Sequence, residues 1–467
     1  MGAEDAASTE SFLKPFLAAL ASFMCQFQLG AILGQSSTML PQLQAEDSPI
    51  RITKEYASWI ASAGVIGTPI ASVLAGPLTD KMGRKSVIRM HFLLSAIGHT
   101  IVGVSSDGTE ILIGRVILSC ATGFGVPSLV YIPEICNPRH RSPLLFTATV
   151  SSSLGLVYVY TLGGILSWDI TAMLTSSLAI IGLVYTFIVP ESPAWLFRSH
   201  RLNEAIDSIK WLKGQNVNME LELRSLKDAC HEQPKERVSL LKQFASPTVI
   251  KPFLVLTIIS FLQNASGFYI LLYYSIDFFL EFKSSYDPRF VSVGLAVTRL
   301  VSCTVASVII NRFCRKTMGT FSGLSMGVIL LGILGYLHAF GDDAAVLSRY
   351  SWVPAAGLTL YVFACSLGVH PLPWLMIFEL YPLEVRGRMC GISNGMCYVF
   401  TFVFTKLYYT FIANFKIQGT ILLFMVASVL FGLFSAFVLP ETQGKTLLEI
   451  EDRFRPKKKP DKESTLP

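Results

Sequence analysis

The sequence predicts an all-α membrane protein: twelve transmembrane helices in two six-helix, pseudo-symmetric halves, with a cytosolic helical insert between them. Three observations predict it. Hydrophobic residues make up 52% of the 467 and charged residues only 15%, too apolar a balance for an ordinary soluble domain. The apolar residues gather in twelve runs of about twenty, the length with which a helix crosses a bilayer. Three charged motifs at run ends in the first half recur, in order, in the second.

The runs are 14–38, 57–79, 86–105, 110–132, 143–166, 170–189, 252–280, 290–310, 317–340, 352–378, 388–412 and 418–439. Backbone groups in lipid find no water, so each run must close its hydrogen bonds internally, as a helix. The first ten residues are acidic and polar and a second run follows closely. Run 1 is therefore expected to stay as a helix rather than act as a cleaved leader. Gly30 and Gly34, four apart in run 1, would let a neighbouring helix come close.

The repeat centres on Gly76-Pro77-Leu78-Thr79-Asp80-Lys81-Met82-Gly83-Arg84-Lys85, between runs 2 and 3. A weaker copy, Asn311-Arg312-Phe313-Cys314-Arg315-Lys316, follows at a shift of 311 − 80 = 231 residues. Glu134 and Arg141 are echoed by Glu379 and Arg386 at 379 − 134 = 245. Pro190-Glu191-Ser192 is echoed by Pro440-Glu441-Thr442 at 440 − 190 = 250. Nearly constant shifts mark one half as a diverged copy of the other. The expected division is 1–190 and 252–440 for the halves, 191–251 for the insert and 441–467 for a tail.

With both termini in the cytosol, six of the 38 Lys and Arg face out: Arg51, Lys54, Lys283, Arg289, Arg349 and Lys416. Arg115, Arg299 and Lys406 lie within runs, and the rest face in, the bias of cytoplasmic loops. The net charge of +6 is this loop bias and does not point to nucleic acid. None of the nine cysteines falls in an outer loop, so no disulfide framework is expected. No nucleotide loop, metal-ligand cluster or catalytic triad stands out, so neither an enzyme nor a cofactor is expected. In the insert, Leu202, Ala205, Ile206, Ile209 and Leu212 form a helical stripe. Short amphipathic helices beneath the bundle and a disordered linker are the two readings. Lys457-Lys458-Lys459 in the tail fits either a patch for anionic lipid or a solvated end. Nothing in the sequence sets an oligomeric state.

The ordered motifs resemble the sugar porter family of the major facilitator superfamily. They are Gly76 to Lys85, Gly114-Arg115, Tyr131-x-x-Glu134, Pro190-Glu191-Ser192-Pro193-x-Trp195-Leu196 and Arg201-x-x-Glu204-Ala205 in the first part. Gln263-x-x-Ser266-Gly267, Pro371-x-Pro373-Trp374, Glu379-x-x-Pro382-x-x-x-Arg386-Gly387 and Pro440-Glu441-Thr442-x-Gly444-x-x-Leu447 follow. Trp59-Ile60 and Val159-Tyr160-Thr161-Leu162-Gly163 are most similar to the branch of insect facilitated trehalose transporters. The resemblance implies two six-helix halves around a central sugar path, with a sugar and the lipid bilayer as partners, most naturally in the plasma membrane.

It also implies site residues. In span 7 the family has two adjacent Gln, then an Asn two residues after Ser-Gly; here these are Gln263, Asn264 and Tyr269. Gln263 and Asn264 can donate to and accept from sugar hydroxyls, and Tyr269 would reshape the pocket. Tyr273 and Tyr274 are pocket or packing residues. Trp374 resembles the tryptophan that stacks on the sugar, Thr149 falls at a usual Gln, and Cys397-Tyr398 at a usual Asn-Trp pair. Pro371 and Pro373 break the helix of span 10 and act as a hinge. His370 replaces a Gly before them, as a packed residue or a proton site. Arg299 lies near mid-membrane, about 1.5 Å per residue from its span's outer end. It either makes a structural contact, with Asp277 the nearest acid, or lines the path and favours an anionic or highly hydroxylated substrate.

The charged echoes suit an inner latch. Asp80, Arg84, Lys85, Glu134, Arg141 and Glu191 of the first half are expected to meet Arg315, Glu379, Arg386 and Glu441 of the second when the carrier faces out. Family symporters carry an Asp in span 1 near the span-4 arginine. Here that position falls near Ser36 and span 1 has no acid, which favours facilitated uniport. His91, His99 and His370 keep proton coupling open. A polyol or organic-anion carrier and a non-transporting sugar sensor are the other readings.

Overall fold

The structure is a computed structural model that describes residues 2–136, 138–214, 217–231, 246–282, 286–309, 312–340, 350, 352–381, 385–443, 449 and 453–454. Asn311, Pro382, Gly444, Leu447 and Lys457 to Lys459 lie outside the described residues, as does the side chain of Arg386.

The first half runs α1 (Gly2–Gln44), α2 (Lys54–Ile66), α3 (Thr68–Met82), α4 (Arg84–Val104), α5 (Gly108–Phe124), α6 (Pro127–Ile135), α7 (Pro138–Ile165) and α8 (Trp168–Ile188). The insert supplies α9 (Pro193–Arg198), α10 (Leu202–Lys213) and α11 (Met219–His231). The second half follows as α12 (Pro247–Ala265), α13 (Phe268–Tyr273), α14 (Ser275–Leu280), α15 (Pro288–Ile309), α16 (Arg315–Phe340), α17 (Trp352–Leu367), α18 (Pro371–Glu379) and α19 (Arg386–Phe437).

Among the described residues eleven helices are long and apolar enough to span a membrane, and the eleventh is long enough for two crossings. At 52 residues α19 is more than twice the length needed for one. Lys416, at φ 54 and ψ −179, breaks it where the sequence places the loop between runs 11 and 12. Spans 2, 4, 7 and 10 are each interrupted. Pro69 and Pro127 restart the helix near its first position in spans 2 and 4, where a missing N–H costs nothing. Span 7 breaks at Gly267, φ +86, a conformation open to glycine.

Helix ends are capped as their sequences specify. Thr53 accepts from Tyr56 N–H, Asp107 from Glu110 N–H and Ser192 from Trp195 N–H. Within the first half α1 packs along α7 and α4 along α5 and α8. A Cβ on Gly30 would collide with the Ser152 carbonyl and one on Gly155 with that of Phe27, so these glycines set the α1–α7 approach. The insert is helical over 202–213: Ala205, Ser208, Ile209 and Leu212 are buried, and Leu212 packs into the cluster that holds Ala18 and Phe23 of α1.

Candidate functional site

The charged residues expected to form the latch gather where four chain segments meet at one end of the first half. Arg84, just after Gly83, turns its Nε and NH2 onto the two oxygens of Glu134, each at 2.8 Å. This is the bidentate fork that makes arginine–carboxylate pairs specific. Ser192 donates its hydroxyl to Glu134 as well, and Arg198 of the insert reaches it at 3.4 Å. Glu191 accepts the backbone N–H of Arg84 at 3.2 Å and of Lys85 at 3.0 Å, so it caps the start of α4, where a carboxylate suits the helix dipole. Gly83 has φ +93, and a Cβ there would strike Glu191, which is why the motif needs glycine at this place. Lys85 donates through Nζ to Val189 O at 2.7 Å. Asp80, exposed, stands 3.8 Å from Arg84, and its carbonyl accepts Trp195 Nε1 at 2.8 Å. Arg141 is exposed and outside the cluster.

The second half repeats the design. Arg315 NH2 meets Glu379 at 3.2 Å, Thr442 donates to Glu379, and Glu441 accepts the N–H groups of Arg315 and Lys316, both at 3.1 Å. The two capping carboxylates differ in environment. Burial pushes Glu191 above its ordinary range despite the N–H donors of Ser192 and Lys85. Burial pushes Glu441 the same way, but the N–H groups of Gln443, Lys316, Arg315 and Thr442 outweigh it and leave that carboxyl below its ordinary range.

Among the described residues, the ion pairs at this end lie within a half; pairing between halves is expected only when the carrier faces out. The reason is local: each arginine sits on the same helix start that the half's second glutamate caps, so its nearest carboxylates are its own half's. The halves are tied by Asn394 Nδ2, which donates to Ser72 Oγ at 3.4 Å, and by a larger group of contacts at the opposite end. Ile276 N–H donates to Ser37 Oγ at 3.3 Å and Tyr160 OH to Leu272 O. Gln44 Nε2 donates to Tyr409 OH, which donates to Asp277 at 2.7 Å. Lys406 donates to Ser58 Oγ at 2.7 Å and lies 3.8 Å from the centre of the Trp59 ring.

Between the two ends lies the polar centre. Arg115 is fully buried and holds Ser36 Oγ at 2.6 Å, Gln35 Oε1 at 3.1 Å, Ile32 O at 3.2 Å and Ile60 O at 3.4 Å, with no carboxylate bound. Gln263 and Asn264, expected to offer free amides, are buried and engaged. Gln263 Nε2 donates to Val369 O at 2.9 Å and His370 O at 2.8 Å. The cause is the break in span 10: the Val369 carbonyl would look four residues on for its donor, and Pro373 has no N–H. Asn264 donates to Ser260 O and accepts from Thr401, both at 2.8 Å. Pro371 opens α18, and the chain between α17 and α18 is the discontinuity the two prolines predict.

Tyr269 stacks edge-on with Phe268 and packs near His370, with centroids 5.5 and 6.3 Å away. Trp374, half-buried, packs against Tyr398 at 5.7 Å. Tyr273 is buried and Thr149 exposed. Arg299 is buried without the Asp277 contact that proximity in sequence offered, because Asp277 is taken by Tyr409. His91 Nδ1 lies 2.8 Å from Ala121 O, while both ring nitrogens of the buried His99 lack partners.

Residues 14–454 match the family model described as "Sugar (and other) transporter". The chain belongs to that family. Among curated proteins this transporter is 29% identical to the facilitated trehalose transporter of Bombyx mori, over 93% of this chain and 86% of that one. The identity is again 29% to the facilitated trehalose transporter of Apis mellifera ligustica, over 94% and 88%. Among solved structures it matches the proton:xylose symporter of the major facilitator superfamily bound to 6-bromo-6-deoxy-D-glucose. The TM-score is 0.74, the identity 19%, and coverage 94% and 99%. A partially occluded inward-open form of the E. coli xylose transporter matches at TM-score 0.75 and 19% identity, over 92% and 99%. These two structures establish the fold of the transporter.

Sequence reasoning missed two sets of residues in this transporter. Ser192 and Thr442 complete the two latches, and the signal was present: a hydroxyl follows the glutamate in both copies of Pro-Glu-Ser/Thr. Lys406, noted only as an in-span charge, turns out to tie the halves. Its partner Trp59 was legible as a motif but not as a cation's ring.

Proposed function

We propose that this transporter carries out facilitated, proton-independent diffusion of a sugar, a hexose or a disaccharide such as trehalose, by alternating access. The observation that carries the proposal is the Ser36 hydroxyl 2.6 Å from Arg115. Proton-coupled carriage needs a titrating group that reports to the moving helices, and here the buried arginine is satisfied by an amide, a hydroxyl and carbonyls. The relatives named facilitated trehalose transporters support the substrate class and the mode.

On this reading the ties at the Gln44 end close that side of the carrier. Reorientation breaks the Ser37, Tyr160, Tyr409 and Lys406 ties and brings the latch ends together, so that Glu379, Arg386 and Arg141 find partners across the halves. Residues 1–190 and 252–440 move as units, with the 191–251 insert beneath and both termini in the cytosol. The sugar lies among Thr149, Gln263, Asn264, Tyr269, Tyr273, Arg299 and Trp374, and the Pro371–Pro373 break flexes as it enters. The plasma membrane is the proposed location. The test is uptake of labelled trehalose and glucose by vesicles holding the purified protein. Saturable uptake is expected; folded protein that moves neither sugar contradicts the proposal and favours a sensor.

A further inference from the structure

Arg299 in α15 is 4% exposed, and its Nε and NH1 have no hydrogen-bond partner. No ion pair reaches it among the described residues. Asp277 bonds Tyr409, and the charged groups that act on Asp277 are Lys54 and Glu281. Within electrostatic reach of the Arg299 guanidinium stand Tyr160 from the first half and Tyr269, Cys365 and His370 from the second.

A charge withdrawn from water is tolerated when it is paired or fully hydrogen-bonded. Arg115 meets that condition without an acid; Arg299, buried to a similar degree, does not. A guanidinium does not escape by losing its proton. Its unmet donors therefore demand an acceptor, at the mid-membrane depth where carriers of this architecture take their substrates. The planar guanidinium matches a carboxylate through two parallel bonds.

We infer that Arg299 binds the carboxylate of a sugar acid, so that the preferred substrates are hydroxylated monocarboxylates of the hexuronate kind, with neutral sugars held more weakly. Tyr269 and His370 contact the ring beside it. The inference rests on the carrier reading above and extends its substrate class from neutral sugars to sugar acids.

Calorimetric binding to the detergent-solubilised full chain tests it, with glucuronate, glucose and acetate as ligands. Glucuronate is expected to bind about tenfold tighter than glucose, the order expected of a desolvated charge pair. Acetate, which has the charge but no hydroxyls, should bind more weakly than glucuronate. Arg299→Gln should erase the glucuronate advantage, so that the ratio of glucuronate to glucose affinity falls to about one or below. Should that variant fail to fold, Arg299→Lys keeps the charge without the fork and should retain only part of the advantage. Glucuronate binding no tighter than glucose, an advantage undiminished by either variant, or acetate binding as tightly as glucuronate overturns the inference. Vesicle uptake separates the two proposals. A chain that prefers glucuronate but moves no sugar fails as a carrier and keeps its anion site. A chain that moves glucose with no preference for glucuronate does the reverse.

Discussion

At the latch of the first half, Arg84 grips Glu134 through two bonds of 2.8 Å, with the two side chains 5% and 16% exposed. At the latch of the second, Arg315 meets Glu379 at 3.2 Å, and the exposures are 10% and 25%. The same contrast holds in the centre: Arg115 is satisfied on every side it shows, whereas Arg299 keeps two nitrogens without partners. Duplication supplied both halves with the same devices, and divergence has finished them unequally. The first half satisfies its buried arginines by itself. In the second, Arg299 is left with donors for something else, a substrate or a moving helix.

The largest test of that contrast is at the latches. Arg84→Ala leaves Glu134 only Ser192 and the 3.4 Å contact to Arg198, and is expected to cost about 3 kcal/mol, the low end for breaking a buried pair. Arg315→Ala, in the wetter copy, should cost roughly half as much. Thermal unfolding of the two variants in detergent reads the difference, and equal losses would erase the claimed asymmetry. Next comes Gln263→Leu, which leaves the Val369 carbonyl without a donor and should cost about 1–3 kcal/mol. A variant as stable as the parent would mean that the span-10 break is capped otherwise.

Lys406→Met removes the Ser58 bond and the Trp59 ring contact, together worth about 0.5–2 kcal/mol of the tie between halves. Spin-label distances across the Gln44 end should broaden toward the separated state, and an unchanged distribution would remove Lys406 from the gate.

The smallest effect is a difference in titration. Glu191, raised by burial, favours its protonated form in the fold, so its contribution to stability grows as pH falls and is lost as pH rises through its raised pKa. Glu441, held down by four N–H groups, contributes as a carboxylate, and that contribution is lost as pH falls through its lowered pKa. In the window between them Glu191 is neutral and Glu441 ionised. Infrared difference spectra of Glu191→Gln and Glu441→Gln should show the Glu191 carboxyl band appearing at the higher pH.

Depth and identity were legible in the sequence; lateral partnership was not. Run lengths placed the spans, and the repeated motifs placed Arg84, Glu134 and Glu191 at one end with Arg315, Glu379 and Glu441. Nothing in a linear pattern says that Arg84 and Glu134 meet within a half, because residues at one depth can pair in several lateral directions. Gln263 illustrates the same limit. Its amide is committed because Pro373 leaves a carbonyl unmet on another span, and the pairing exists only once spans 7 and 10 are side by side. Asp277 stood near Arg299 by span order, yet α14 turns it toward Tyr409. The Ser36–Arg115 contact was legible, because the missing acid in span 1 can be read directly against the arginine of span 4.

That contact carries the central claim, which is that a transporter whose span-4 arginine is satisfied without an acid moves sugar without protons. The most direct measurement uses vesicles containing the purified transporter and a trapped pH-sensitive dye. The account predicts that a sugar shown to enter leaves the internal pH unchanged and enters at the same rate with or without an imposed pH gradient. Internal acidification that accompanies sugar entry, abolished by collapsing the gradient, would contradict it.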